Sequence, residues 1–295
     1  MVALTDVSHA RLPRLAPRPA DSHKGDFGRA LVVGGSRGMS GAITLAGLAT
    51  LRSGAGLVTV AVPRTIQDVV AGFDPSYMTH GLADDGHRVT AAAAEEVLAL
   101  AESATALALG PGLGRSAGVT EFVARLYREV RRPMVVDADA LFALAERQER
   151  LAEAAGPRIL TPHPGEFARL TGTMPDCDPR SRSDAAGELA SASGNHTVVV
   201  LKGHRTVITN GTRFAVNDTG NPGMATGGTG DVLAGVITAL VCQGLAPFDA
   251  ARLGVHVHGL AGDLAAAERG QISLISFDLI DFLPAAFQSH ADDDA

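Results

Sequence analysis

The segment Asn221-Pro222-Gly223-Met224-Ala225-Thr226-Gly227-Gly228-Thr229-Gly230-Asp231 holds the residue types from which phosphoryl chemistry can be built. Glycines let a backbone come close to a phosphate, and the apolar run after Asp231 reads as a helix. Free amides at a helix start form an anion hole, here from Gly228, Thr229 and Gly230. Asp231 in the first turn can take a proton from a substrate hydroxyl. The helix terminus is expected to keep that carboxylate ionised, as a base must be. The plainer reading is a helix with an acidic first turn behind a loose glycine loop. Three glycines and a threonine ahead of the aspartate exceed what a cap requires.

Other residues able to do chemistry also follow short apolar runs. After Ala30–Val33 comes Gly34-Gly35-Ser36-Arg37-Gly38-Met39-Ser40-Gly41. It lacks the GxGxxG spacing and the acidic residue about 20 positions on that a dinucleotide fingerprint needs. It is either a loop presenting amides or a tight turn that needs positive φ. Gly110-Pro111-Gly112-Leu113-Gly114 offers backbone contact to a ligand. Asp137 directly follows a strand and faces the site, while Asp139 either joins it or caps the next helix. In Thr161-Pro162-His163-Pro164-Gly165-Glu166 two prolines fix a loop that sets His163 and Glu166 three apart. Glu166 can serve a site or simply favour a helix start. His256 and His258, two apart on a helical stretch, do not share a face and are not a metal pair.

Positions as distant in sequence as Gly34 and Asp231 meet only if an alternating fold collects their strand ends. The apolar runs predict strands over Ala30–Val33, Leu57–Val62, Ala106–Leu109, Met134–Val136 and Arg158–Leu160. A later cluster, Val198–Leu201, Thr206–Thr209 and Arg213–Val216, is joined by Lys202-Gly203 and by the hairpin signal Asn210-Gly211. Helices are expected over Ser40–Leu51, with Ser40 as N-cap, and over 231–242 and 246–267. Continuous apolar strands between helices mean a mostly parallel sheet covered on both faces, here with an antiparallel edge. Ligands bind at the carboxyl ends of such strands.

The chain has 25 basic and 32 acidic residues, a net charge of −7, which argues against nonspecific nucleic-acid binding. Cys177 and Cys242 fit no metal spacing and read as two reduced thiols of a cytoplasmic protein. No secretory signal follows the arginines of the N-terminus, and no apolar run is long enough for a membrane span. The expected organisation is an irregular arm over 1–22, a single α/β domain over 23–287 and an acidic tail over 288–295.

At this point the residues resemble a known family. Gly227–Asp231 resembles the anion-hole and base motif of ribokinase-like enzymes. Asp21–Gly28, Gly54–Thr59, Gly110–Gly114, Val136–Leu141, Leu160–Glu166 and Lys202-Gly203 with Thr206 resemble, in order, the ADP- or ATP-dependent NAD(P)H-hydrate dehydratases. The resemblance implies a ribokinase-like three-layer α/β/α fold. The implied substrate is the S epimer of NADH or NADPH hydrated at C6 of the nicotinamide ring. A nucleotide phosphorylates the new hydroxyl, and loss of phosphate restores the reduced dinucleotide. By matched position, Ala42, Gly112, His163 and Asp231 would contact the hydrate. Lys202, Gly203, His204, Arg205, Thr206 and Gly230 would hold ADP. Mg²⁺ would ride on the phosphates with most of its waters kept, and Glu166 would orient it through water. His163 stands where sugar kinases of this superfamily carry Asn. The resemblance further implies ADP rather than ATP as donor, a homotetramer, and an epimerase on a separate protein, since few residues precede the match.

Two other readings remain at this level. A kinase for a hydroxymethylpyrimidine or thiazole alcohol would share the motif and release a stable phosphate ester. A nucleotide-binding sensor without catalysis would have little use for Asp231 beside a phosphate hole.

Overall fold

The computed structural model describes residues 4–194 and 196–292. Ten strands form one sheet: β1 (Thr5–Asp6), β2 (Arg29–Val33), β3 (Leu57–Pro63), β4 (Met78–Leu82), β5 (Ala106–Leu109), β6 (Met134–Val136), β7 (Arg158–Leu160), β8 (Thr197–Leu201), β9 (Val207–Thr209) and β10 (Arg213–Val216). Their order is β1-β10-β9-β8-β7-β6-β5-β2-β3-β4. β9 runs antiparallel to both its neighbours, and every other pair is parallel. The antiparallel turn-back lies toward one edge, as expected, but the outermost place belongs to β1, parallel to β10. The N-terminal arm, expected as irregular, thus gives the sheet a strand. Arg252 also ties the arm down by donating to the carbonyls of Val7 and Ala10.

β4 is the other strand the apolar runs do not announce. Its residues, Met78-Thr79-His80-Gly81-Leu82, are mixed because an edge strand needs no second apolar neighbour.

Helices cover both faces. α1 (Ser40–Arg52), α8 (Thr229–Cys242), α9 (Pro247–Arg269) and α10 (Ser276–Asp292) share a core with one face, through side chains such as Ile43, Val236, Val255 and Leu279. α3 (Ala93–Ser103), α4 (Ala117–Glu129), α5 (Asp139–Ala145), α6 (Pro164–Thr171) and α7 (Pro179–Ala192) cover the other, through Ala93, Phe122, Leu141, Phe167 and Leu189. A short α2 (Gln67–Ala71) leads toward β4. α8 is apolar all round, buried from Val232 through Cys242, because it lies under α1 and α9 and over β2, β5 and β6. Ser40 is the first residue of α1 rather than its cap, and no side chain caps that start. α10 continues into the expected acidic tail, of which residues 293–295 lie outside the described residues.

The chain leaves β2 for β3 and β4 on one side, then returns to β5 on the other. The crevice beyond the carboxyl ends of β2 and β5 is therefore the switch point of the sheet.

Candidate active site

The loops after β2 and β5 cross at that switch point. Gly35 donates its amide to Pro111 O at 2.7 Å, and Ser36 Oγ donates to Gly112 O at 2.8 Å. A methyl at position 112 would lie 3.1 Å from Ala42 Cβ, so Ala42 and Gly112 are side by side. The loop after β5 is held from α5, where Asp139 accepts from the Gly114 amide at 2.9 Å and pairs with Arg115 at 3.1 Å. Asp139 is thus a loop anchor in the first turn of α5, whose N-cap is Ala138.

Charge gathers at the next three strand ends. Asp137, after β6, is 1% exposed and accepts on Oδ1 from Thr161 Oγ1 and from Lys202 Nζ, each at 2.7 Å. Lys202 comes from the end of β8 and Thr161 from the end of β7. Glu166 Oε2 lies 3.8 Å from the same ammonium. Burial works against the Lys202 cation, but Asp137, Glu166 and Asp231 outweigh it and raise its pKa above the usual lysine value. Burial raises the Glu166 pKa, Lys202 opposes the rise, and Asp137 adds to it.

His163 and Glu166 form a capping box at the start of α6. His163 Nδ1 accepts from the amides of Gly165 and Glu166, and Glu166 Oε2 accepts from the His163 amide at 2.8 Å. The helix-start reading of Glu166 therefore holds, yet the same carboxylate also reaches the Lys202 cluster. The His163 ring is 56% exposed.

α8 brings the glycine loop over this cluster. Its N-cap Gly228 has φ 93°, a left-handed conformation that a residue with a Cβ adopts only at a cost. Thr229, Gly230 and Asp231 form the first turn. Among the described residues no protein acceptor takes the amides of Gly228, Thr229, Gly230 or Asp231. The Thr229 hydroxyl instead ties the loop together by donating to Met224 O and Thr226 O, each at 3.2 Å. A methyl at position 230 would lie 3.2 Å from Lys202 Nζ and 3.8 Å from Asp137 Oδ2. The amide cluster, Asp231 and the Asp137–Lys202 pair are therefore one site.

Asp231 departs from the expectation that its helix start keeps it ionised. Burial first, then the field of Asp137, pushes its pKa up to about 7, with Lys202 pulling the other way. A first-turn position is worth at most about 2 kcal/mol to a half-buried anion, too little to offset burial and the Asp137 charge together.

The Lys202–Thr206 turn does not present its ammonium outward. Lys202 turns in to Asp137, Gly203, His204 and Arg205 are exposed, and Thr206 Oγ1 donates to Gly203 O at 2.9 Å. Arg182 of α7, 6% exposed, grips the turn from below by donating to the carbonyls of Leu201, Lys202 and His204. Arg182 was invisible to motif reading because it sits mid-helix with no neighbour of similar chemistry. His258, set aside as half of an unlikely metal pair, proves to touch Thr229 O from α9 at 2.9 Å.

Residues 30–285 match the model of the NAD(P)H-hydrate dehydratase family. The chain belongs to that family. A bifunctional NAD(P)H-hydrate repair enzyme of Moorella thermoacetica is 47% identical over 278 residues, which cover 93% of this chain and 51% of that protein. The chain thus spans about half the length of the curated relatives it matches. The ADP/ATP-dependent NAD(P)H-hydrate dehydratase of Bacillus subtilis, co-crystallised with ATP/Mg²⁺, superposes with a TM-score of 0.80 at 34% identity, covering 96% of each chain. A hydroxyethylthiazole kinase of Pyrococcus horikoshii shares only the ribokinase-like fold, at 15% identity and a TM-score of 0.60 over 88% of this chain and 89% of its own. The dehydratase family is thus matched in sequence and fold together, the kinase in fold alone.

Proposed function

We propose that the chain is an ADP-dependent dehydratase of (S)-NADH and (S)-NADPH hydrates, acting as a metabolite-repair enzyme. The observation that carries this reading is Asp231, half-buried beside unpaired helix-start amides and set against the Asp137–Lys202 pair in a chain of this family. Asp231 takes the proton of the C6 hydroxyl as that oxygen attacks the terminal phosphorus of ADP. The amides of Gly228, Thr229 and Gly230 receive the charge that develops on the transferred phosphoryl group. Departure of phosphate from C6, with loss of a proton from the neighbouring C5, then restores NAD(P)H, so AMP and phosphate form in equal amounts. Ala42, Gly112 and His163 line the hydrate side, at the switch-point loops and the α6 start. Gly203 to Thr206, with Gly230, hold the nucleotide. Lys202 steadies the carboxylates rather than meeting phosphate as a free cation.

Magnesium fits this donor set as an ion carried in by the nucleotide. Among the described residues no group of three or more His, Cys, Asp or Glu is arranged to hold an ion. Glu166 Oε1, whose nearest recorded partner is the His163 ring at 3.5 Å, is the oxygen left to orient a hydrated ion. Bound there, magnesium would neutralise phosphate charge. A homotetramer, a cytoplasmic location and functional pairing with an NAD(P)H-hydrate epimerase complete the reading. Among the described residues, no helix is long and apolar enough to cross a membrane.

The test is to supply the prepared hydrate with Mg²⁺ and either ADP or ATP and follow NAD(P)H absorbance. ADP-dependent recovery with matching AMP is expected. Recovery with ATP alone overturns the donor, and no recovery with either overturns the reading. A stable phosphate ester by mass spectrometry would make the chain a kinase.

A further inference from the structure

The glycine loop ahead of α8 rests on one face of α9, and the fit there is close. A methyl at position 259 would lie 2.2 Å from Thr219 Oγ1, and one at 262 would lie 2.3 Å from Met224 Sδ. Asp263 accepts from the Gly220 amide at 2.8 Å and from Asn221 Nδ2 at 2.9 Å. Thr219 Oγ1 donates to His256 O at 2.9 Å. These contacts anchor the loop where it begins. Where it ends, an α9 side chain reaches the first turn of α8: His258 Nε2 lies 2.9 Å from Thr229 O. A carbonyl oxygen only accepts, so Nε2 carries the proton and the ring is the Nε2–H tautomer. Burial, with Lys202 nearby, drives the ring pKa down to about 4 against the pull of the Thr229 bond, so the ring is neutral at pH 7.

The identity of that carbonyl matters. Thr229 C=O and Gly230 N–H are the two ends of one peptide unit. Its oxygen already accepts within the helix, and a second donor polarises the unit further. The opposite end, the Gly230 amide, belongs to the unpaired set that faces the charge cluster. We propose that His258 is a positioning residue for phosphoryl transfer: its bond to Thr229 O fixes and polarises the peptide unit whose Gly230 amide receives the transferred group. The proposal rests on reading the α8 start as the phosphoryl site. It gives α9 a part in the chemistry through a residue that touches neither substrate.

The contribution is specific to the transition state, where charge on the phosphoryl oxygens is greatest, so it acts on kcat rather than on KM. His258→Leu removes the donor and keeps an apolar fill. His258→Gln places an amide N–H near the Nε2 position, whereas the shorter His258→Asn does not reach it. With the hydrate and ADP, the Leu variant is expected to lose about three- to tenfold in kcat, the size of one neutral hydrogen bond, with KM for both substrates unchanged. The Gln variant should recover most of that loss and the Asn variant should not.

A second readout needs no substrate. Labelling with ¹³C-carbonyl Thr and ¹⁵N Gly selects the Thr-Gly pairs at Gly172, Gly220, Gly227 and Gly230. In the ligand-free protein the Leu variant should move the Thr229 carbonyl and Gly230 amide resonances upfield, the Gln variant should restore them, and Gly172 should stay put. If the Leu variant does not fold, the Gln and Asn pair decides both readouts. Equal kcat in Gln and Asn variants, a parallel rise in KM, or an unmoved Gly230 amide would overturn the proposal. If the wild-type protein fails to convert the hydrate, the proposed function fails, and the resonance shifts still decide what His258 does to the peptide unit.

Discussion

The two ends of the same sheet each draw a cation inward, Arg158 fully buried and Lys202 half-buried, and they do so in opposite ways. At the amino end Arg158 is fully buried and meets no carboxylate among the described residues. It donates to the carbonyls of Tyr127, Val130, Arg132 and Pro157, two of them at or just past the C-terminus of α4, where helix carbonyls lack partners. Burial lowers its pKa to about 10, which still leaves it charged at neutral pH. At the carboxyl end Lys202 meets Asp137, with Glu166 and Asp231 close by. Three carboxylates against one ammonium leave a surplus of negative charge, so Asp231 is lifted toward neutrality. One arrangement gives both terminal guanidinium nitrogens carbonyl partners, leaving Nε unpaired, and fixes the fold. The other leaves a carboxyl ready to exchange a proton and amides ready for an anion, at a cost in stability.

Substitutions at the two ends should therefore separate turnover from stability. The largest effect belongs to Asp231→Asn, which removes the proposed base and should cut turnover roughly 100-fold or more. Its effect on stability has a definite sign. The folded-state pKa of about 7 exceeds the unfolded carboxyl's 3.8, so the favourable contribution is complete below pH 3.8 and is lost as pH rises through 7. At pH 8 the ionised carboxylate is a burden, and the Asn variant should melt above the wild type. A lower melting temperature with near-normal turnover would make Asp231 a helix-start residue like any other.

Arg158→Met should do the reverse. Stranding buried carbonyls costs on the order of 3–5 kcal/mol by urea denaturation, while kcat per folded molecule stays unchanged. A fall in kcat without loss of stability would erase the division between the ends.

Lys202→Met strips the cation from the three carboxylates. Since Lys202 lowers the Asp231 pKa, the rising limb of the pH–rate profile should move to higher pH, and the variant should regain activity as pH is raised. A profile displaced to lower pH, or weakened ADP binding alone by calorimetry, would return Lys202 to direct nucleotide capture.

The smallest effect should come from Ala138→Gly. Ala138 has φ 50° and ψ −122° between Asp137 and Asp139, a conformation that strains a residue with a Cβ. Glycine should raise stability by about 1 kcal/mol or less, with no change in turnover, because relief of strain is partly offset by entropy of the unfolded chain. A destabilised variant would show that the strain is not there.

Much of this was legible in the sequence, for a physical reason. The strands from β2 to β10, apart from β4, are apolar because helices cover them on both faces, so the runs that mark them also mark where site residues follow. Gly227 to Asp231 stood out because close backbone approach and a first-turn carboxylate both demand particular residue types. What was not legible depends on three-dimensional fields and contacts. Asp231 at a helix start reads as ionised until the buried Asp137, 94 positions earlier by subtraction, is found beside it. Nothing in the spacing of Lys202 announces that its ammonium pairs with Asp137, which only the folded chain brings to it. His258 and Arg182 act on backbone carbonyls, which every residue has, so no spacing of residue types betrays them.

If Asp231, held near neutrality by burial and by Asp137, is the base of the reaction, the rate must follow its ionisation. The most direct measurement is kcat/KM for NADH hydrate against pH, at saturating ADP and Mg²⁺, on wild type and on Asp231→Asn. The wild-type rate should climb with pH through one ionisation near 7, and the residual Asn rate should be flat over the same range. A wild-type profile already flat from pH 5 upward, or an Asn variant that keeps the same rising limb, would contradict it.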